Sequence, residues 1–155
     1  MTLRDRFNSE LKEAMKAKDS RRVSTLRMVL AALKDKDIAA RTETSREGIG
    51  EDDVLSLLAK MVKQREESAA AFEAGGRPEL AAAEREEIAI IASFMPKQMS
   101  AEETKAAIAA AISETGAASI KDMGKVMAAL KGRYAGQMDF AKASALVKEL
   151  LSAPK

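Results

Sequence analysis

Apolar residues in this chain recur at three- and four-residue steps, and this periodicity constrains the fold more than any other feature. Leu3, Phe7, Leu11, Ala14 and Met15 fall on one face of a helix. The same spacing returns in Val23, Leu26, Val29, Leu30 and Leu33, and again in Val54, Leu57, Leu58, Met61 and Val62. No window alternates as a strand would. Between the apolar steps stand mainly Ala, Leu, Met, Glu, Lys and Arg, the stronger helix formers. The chain therefore reads as all-α. Aromatic residues make up only 3% of it, so its core has to be built from Leu, Ile, Val, Met and Ala.

Turn and cap residues divide the periodic stretches. The first helix runs from about Thr2 to Lys16. A second opens with Ser20 as the expected N-cap and reaches about Ala40. Residues 41–50, "RTETSREGIG", have no periodicity and are read as a mobile loop. A third helix begins near Glu51, whose acidic first turn suits the helix dipole, and stops at Gly75-Gly76. Pro78 fits the first turn of a fourth helix, lined by Leu80, Ile88, Ile91, Ala92 and Met95 and ended by Pro96. "FMPKQMS" then reads as a junction. The expected architecture is an N-terminal four-helix domain over 1–95 and a small C-terminal three-helix domain over 96–155.

In the second domain Ser100 and Glu103 form a capping-box signature. The helix it opens has Ile108, Ala111 and Ile112 inward and ends at Gly116. Ser119 with Asp122 is a second such signature. Asp139 is positioned to cap a last helix with the apolar set Phe140, Ala143, Leu146, Val147 and Leu150.

The chain has neither cysteine nor histidine. Disulfides, thiolate metal sites, cysteine nucleophiles and a Ser-His-Asp triad are thereby excluded. The commonest general base near neutral pH is missing, as is the commonest metal ligand. No catalytic residue, cofactor or metal is expected. "EREE" at Glu84–Glu87 lacks the Glu-x-x-His pairs of bundle di-metal sites and is read as a solvated acidic face. Gly75-Gly76-Arg77-Pro78 lacks the phosphate-loop lysine and a preceding strand, and is read as a turn. No stretch approaches the roughly 18 apolar residues of a membrane span, and the first residues hold no apolar run of the secretory type. Together with the missing cysteines, this sets a cytoplasmic expectation.

Charge is uneven. Residues 1–50 carry 12 basic and 8 acidic residues, net +4; residues 51–95 carry 5 and 10, net −5; residues 96–155 carry 9 and 6, net +3. Two segments can thus present basic faces. In the first, Arg21, Arg22 and Arg27 are read as a charged helix face.

The second basic segment contains the stretch "KDMGKVMAALKGRYAGQMD", residues 121–139. Ile120, Met123, Met127, Leu130 and Tyr134 fall on one side of a helix and are read as core. Gly124, Ala128 and Gly132 fall four apart on roughly the opposite side, beside Lys121 and Lys125 and with Lys131 at the edge. Interior helical glycines cost about 0.5–1 kcal/mol each relative to alanine. Three readings stand: another helix packs on the small residues, Gly132 is merely a C-terminal stop, or a polyanion docks there, with phosphate held by the lysines and by backbone near Gly132 and Gly136.

These residues resemble the GatB/YqeY family. "GKVMAALKGRYAGQMD" followed by "LVKELL" is similar to the family's C-terminal signature. "LRDRFNSELKEAMKAKDSRRVSTLRMVLAALKDKDIA" and the stretch from "VLSLLAKMVKQREE" to "FMPKQMS" are similar to the N-terminal and middle parts of free-standing YqeY proteins. The C-terminal module of that family also forms the tail of the B subunit of the glutamine-dependent tRNA amidotransferase, where it contacts tRNA. The resemblance implies an accessory protein of translation that binds tRNA, or one that docks an amidotransferase or aminoacyl-tRNA synthetase. The family label is carbon–nitrogen ligase with glutamine as amido-N donor, but nothing in this chain resembles the catalytic core of that enzyme. Carried over by position, Gly124, Val126, Met127, Lys131 and Gly132 match the shared tail, and Asp139 with Val147–Leu150 matches the YqeY form. Val126, Met127 and Leu150 read as core. The residues expected to face RNA are Lys121, Gly124, Lys125, Lys131, Gly132 and Arg133.

Overall fold

The computed structural model describes residues 1–42 and 48–152. Among them are seven α-helices, one short 3-10 turn and no strand: α1 (Leu3–Lys16), α2 (Ser20–Ala39), α3 (Glu51–Ala74), α4 (Pro78–Ala92), α5 (Ala101–Thr115), the turn Ile120–Asp122, α6 (Met123–Tyr134) and α7 (Phe140–Ser152). The all-α expectation agrees with this. The chain divides into two compact units, Met1–Met95 and Pro96–Lys155.

In the first unit α1 is opened by a full capping box. The Thr2 hydroxyl accepts from the Asp5 N–H at 3.2 Å, and the Asp5 carboxylate accepts from the Thr2 N–H at 3.1 Å. The N-cap of α2 is Asp19, not Ser20. Asp19 accepts from the Arg22 N–H at 3.1 Å, and Ser20 is the first helical residue. A carboxylate one residue earlier reaches the same orphan donors, and its charge suits the helix N-terminus.

The core of this unit gathers Phe7, Leu26, Val29, Leu33, Val54, Leu58, Met61, Ile91 and Phe94. Phe7 and Phe94 meet edge to face, 4.9 Å between ring centres, and the Arg6 guanidinium lies 5.0 Å from the Phe94 ring centre. Phe94 lies just beyond the end of α4, where periodicity gives no guide. The lining expected for α4 shifts accordingly. Ala81, Ile91 and Phe94 are buried, whereas Leu80 and Ala92 are exposed.

Of the expected loop over 41–50, residues 43–47 lie outside the described residues. Its end is held. The Ile49 N–H donates to the Asp37 carboxylate at 2.9 Å, and the Ile49 carbonyl accepts from Arg4 at 2.8 Å. Glu51, first in α3, accepts from the Leu3 N–H at 3.2 Å and so joins the starts of two helices.

In the second unit Ser100 and Glu103 form the expected capping box. Gly116 ends α5 in the left-handed region, φ 67°. Its lack of a Cβ makes that conformation cheap. Asp139 caps α7, accepting from the Ala141 and Lys142 N–H groups at 3.0 and 3.3 Å. The α6–α7 connection is bound to the segment before α5: Met99 N–H donates to the Gln137 carbonyl at 2.9 Å and Gln98 Nε2 to the Gly136 carbonyl at 2.5 Å. Ala107, Ile108, Ala111, Val126, Leu130, Met138, Ala143 and Val147 form the core.

Two expectations fail here. Ile120 is exposed, because it sits in a 3-10 turn and not in the helix. A 3-10 turn advances about 120° per residue against about 100° in an α-helix, so the wheel is out of phase before Met123. Within α6 itself the packed face is centred on Val126 and Leu130, with Met123, Met127 and Tyr134 at its side. Leu150 is also exposed, and Leu151 packs on the core instead. The second capping signature is half present. The Asp122 carboxylate accepts from the Ala118 N–H at 3.0 Å, but the Ser119 hydroxyl caps nothing.

Candidate nucleic-acid interface on α6

With Val126 and Leu130 turned inward, the residues two positions away on either side are turned out. Gly124, Ala128 and Gly132 are exposed in succession, one turn apart. An ideal Cβ built on Gly124 or on Gly132 meets nothing within 4 Å. Among the described residues no helix of this unit therefore packs at these two glycines, and the unit's own packing does not require glycine at either position.

Cations border the strip. Lys121 and Lys131 are exposed and reach no carboxylate among the described residues. Lys125 lies 3.8 Å from the Asp122 carboxylate, one turn away, in an exposed pair of the kind that contributes little. The Asp122 carboxyl is held below the ordinary range, first by the Ala118 N–H and more weakly by Lys125. Asp122 therefore stays charged while its hydrogen bond leaves Lys125 only loosely held.

Arg133 is exposed as well, and it has a partner. Its guanidinium pairs with Glu114 of α5 at 2.5 Å, and that carboxylate holds its pKa above the ordinary range. The six residues expected to face RNA, Lys121, Gly124, Lys125, Lys131, Gly132 and Arg133, thus all lie exposed on or just before α6, and Arg133 in addition pairs with α5. The sequence carries no mark of this pair, because Glu114 and Arg133 are distant in the chain.

Ion pairs missed in the sequence also organise the first unit. Arg65 of α3 donates to Glu87 of α4 at 3.0 Å, with only 12% and 16% of the two side chains exposed. Arg21 of α2 approaches Glu86 at 3.2 Å and Glu87 at 3.9 Å. "EREE" is therefore only partly a solvated face: its last residue is a clamp between three helices. Arg22 pairs with Glu10 of α1. Among the described residues no three carboxylates gather as a metal site would need, and no helix is long and apolar enough to cross a membrane.

Two helical units, the second presenting a bare, lysine-edged helix, define the class: an all-helical protein whose exposed strip is shaped by glycine. A family model described as "Yqey-like protein" matches residues 4–151, and the chain belongs to that family. Among curated proteins it is similar to "Altered inheritance of mitochondria protein 41, mitochondrial" of Saccharomyces cerevisiae, 34% identical over 89 residues, 57% of this chain and 46% of the relative. The proteins of the same name from Kluyveromyces lactis (33% over 88 residues, 57% and 45%) and Clavispora lusitaniae (35% over 86 residues, 56% and 47%) are similar to it as well. The matches span about half the length of these relatives.

Proposed function

We propose that this chain is a tRNA-binding accessory protein of translation, acting through α6 of its second unit, in the cytoplasm and without a cofactor. The observation that carries the reading is the open backbone at Gly124 and Gly132 beside Lys121 and Lys131, which reach no carboxylate among the described residues, and Lys125, which is only loosely paired with Asp122. A helix that lacks side chains along one edge lets a sugar–phosphate backbone approach its main chain, while Lys121, Lys125 and Lys131 supply the charge. Ala128 keeps the strip smooth between the glycines. Arg133, half exposed, also pairs with Glu114 of α5. The family's likeness to the tail of the amidotransferase B subunit makes tRNA the leading polyanion, and a link to glutamine-dependent amidation follows from that likeness alone.

The test is binding of unmodified tRNA to the full chain by fluorescence anisotropy over a salt series. Replacing Lys121, Lys125 and Lys131 together with Ala is expected to weaken binding and lower its salt dependence by roughly one log–log unit per lysine. Absence of tRNA binding at low salt sinks the proposal. If tRNA fails while a translation protein is held through the strip, and Gly132→Leu releases it, the strip is a helix-docking surface instead.

A further inference from the structure

A groove of about 750 Å³ lies along the α1–α2 hairpin, lined by Met15, Lys18, Ser20, Val23, Ser24, Arg27 and Met28. Its floor is apolar, and two of its methionines are exposed to an unusual degree, Met15 by 44% and Met28 by 39%. Unbranched methionine fits irregular apolar partners well. The rim is cationic. Arg4, Arg21, Arg22, Arg65, Arg77 and Arg85 in this unit all end on carboxylates. Arg27, like Arg6 and Arg41, meets no carboxylate among the described residues; its Nη2 reaches the Met15 sulfur, at 3.7 Å. Lys18, in the left-handed region at φ 56°, likewise meets no carboxylate among the described residues.

We infer that this groove binds a protein segment that carries an apolar side chain beside carboxylates, an acidic amphipathic helix being the simplest form. The apolar residues would cover Met15, Val23 and Met28. The carboxylates would pair with Arg27 and Lys18, the two cations at the rim, as Glu and Asp do with six of the unit's arginines. The Ser20 and Ser24 hydroxyls at the edge suit a polar rim. The site is on the first unit and does not depend on the RNA reading of α6.

The experiment follows the methionine methyl groups of the full chain by NMR, with Met15 and Met28 assigned, during titration with four probes. These are a twelve-residue helical peptide of Leu and Glu, the same peptide with Lys for Glu, the same with Ser for Leu, and a twelve-nucleotide single-stranded RNA. The Leu–Glu peptide is expected to shift Met15 and Met28 and leave the buried Met138 in place, and the other three to leave all of them unmoved. The double variant Lys18→Glu, Arg27→Glu, with unchanged helix content, should weaken the Leu–Glu peptide on the order of tenfold, as loss of two rim pairs and added repulsion imply. A Leu–Glu peptide that leaves both methyls unmoved overturns the inference. So does equal binding of the Lys form, which would make the groove merely sticky, or a shift of Met15 and Met28 by the RNA.

Discussion

Arg4 holds both carboxylate oxygens of Asp37, at 2.5 and 2.8 Å, and the same guanidinium carries on to the Ile49 carbonyl at 2.8 Å. One side chain of α1 thereby fixes α2 and the residues that lead into α3. The Asp37 carboxyl is held below the ordinary range, chiefly by Arg4 and further by the Ile49 N–H. A carboxyl whose folded pKa is depressed adds stability that is present above its unfolded pKa of about 3.9 and is lost as pH falls through the folded value. Asp37→Asn should therefore cost about 1 kcal/mol near neutral pH, a modest figure for a partly exposed pair. It should also flatten the acid limb of the stability curve, which urea unfolding at several pH values will show.

Glycines at two places should respond to alanine with opposite sign. A Cβ on Gly48 would come within 2.8 Å of the Asp37 carboxyl carbon and 2.7 Å of Arg4 Nη2. Gly48→Ala should push the clasp apart and destabilise the first unit by about 1 kcal/mol. Gly132, helical and facing open space, should do the reverse: Gly132→Ala is expected to stabilise by about 0.5–1 kcal/mol, and Gly124→Ala, in the first turn, by less. Thermal unfolding of the three variants decides it. If the strip binds tRNA, the stabilised variants should bind more weakly, the added methyls standing where the backbone is approached.

The rotated face of α6 is checked by a core and a surface substitution. Leu130 is fully buried, so Leu130→Ala should cost about 2–5 kcal/mol, most of what a unit this small can spare. Ile120→Ser and Leu150→Ser should each cost no more than about 1 kcal/mol, since only about half of each residue is buried. Denaturant midpoints that fall as far for Ile120→Ser as for Leu130→Ala would contradict the packing.

The aromatic contact in the first unit gives a fourth expectation. Phe7→Ala should destabilise by about 3–5 kcal/mol, and Phe94→Leu, which keeps most of the volume but loses the edge-to-face contact and the Arg6 cation–π contact, by about 1–2 kcal/mol. Chemical unfolding followed by circular dichroism measures both.

Much of this was legible in the chain. Helix spacing, Pro78, Gly116, Asp139 and the Ser100–Glu103 box act within one turn, so their effects can be read from neighbours in sequence. Ile120 and Leu150 are wrongly expected in the core, and Phe94 and Leu151 are not picked out, because each lies at, near or beyond a helix end, where the period of 3.6 is a poor guide. The pairs Arg4–Asp37, Arg65–Glu87 and Arg133–Glu114 were invisible for another reason: tertiary packing sets them, and a surface-type residue carries no sign of its distant partner. At the candidate site the open strip was visible from the wheel, while the pairing of Arg133 with Glu114 was not.

The central claim rests most directly on tRNA affinity measured for the full chain and its Lys121→Ala, Lys125→Ala, Lys131→Ala variant between about 50 and about 200 mM salt. The account predicts binding that falls steeply with salt in the parent and, in the equally folded variant, is weaker and markedly less salt-dependent. Parent and variant curves that superimpose, or no binding by the parent at the lowest salt, would contradict it.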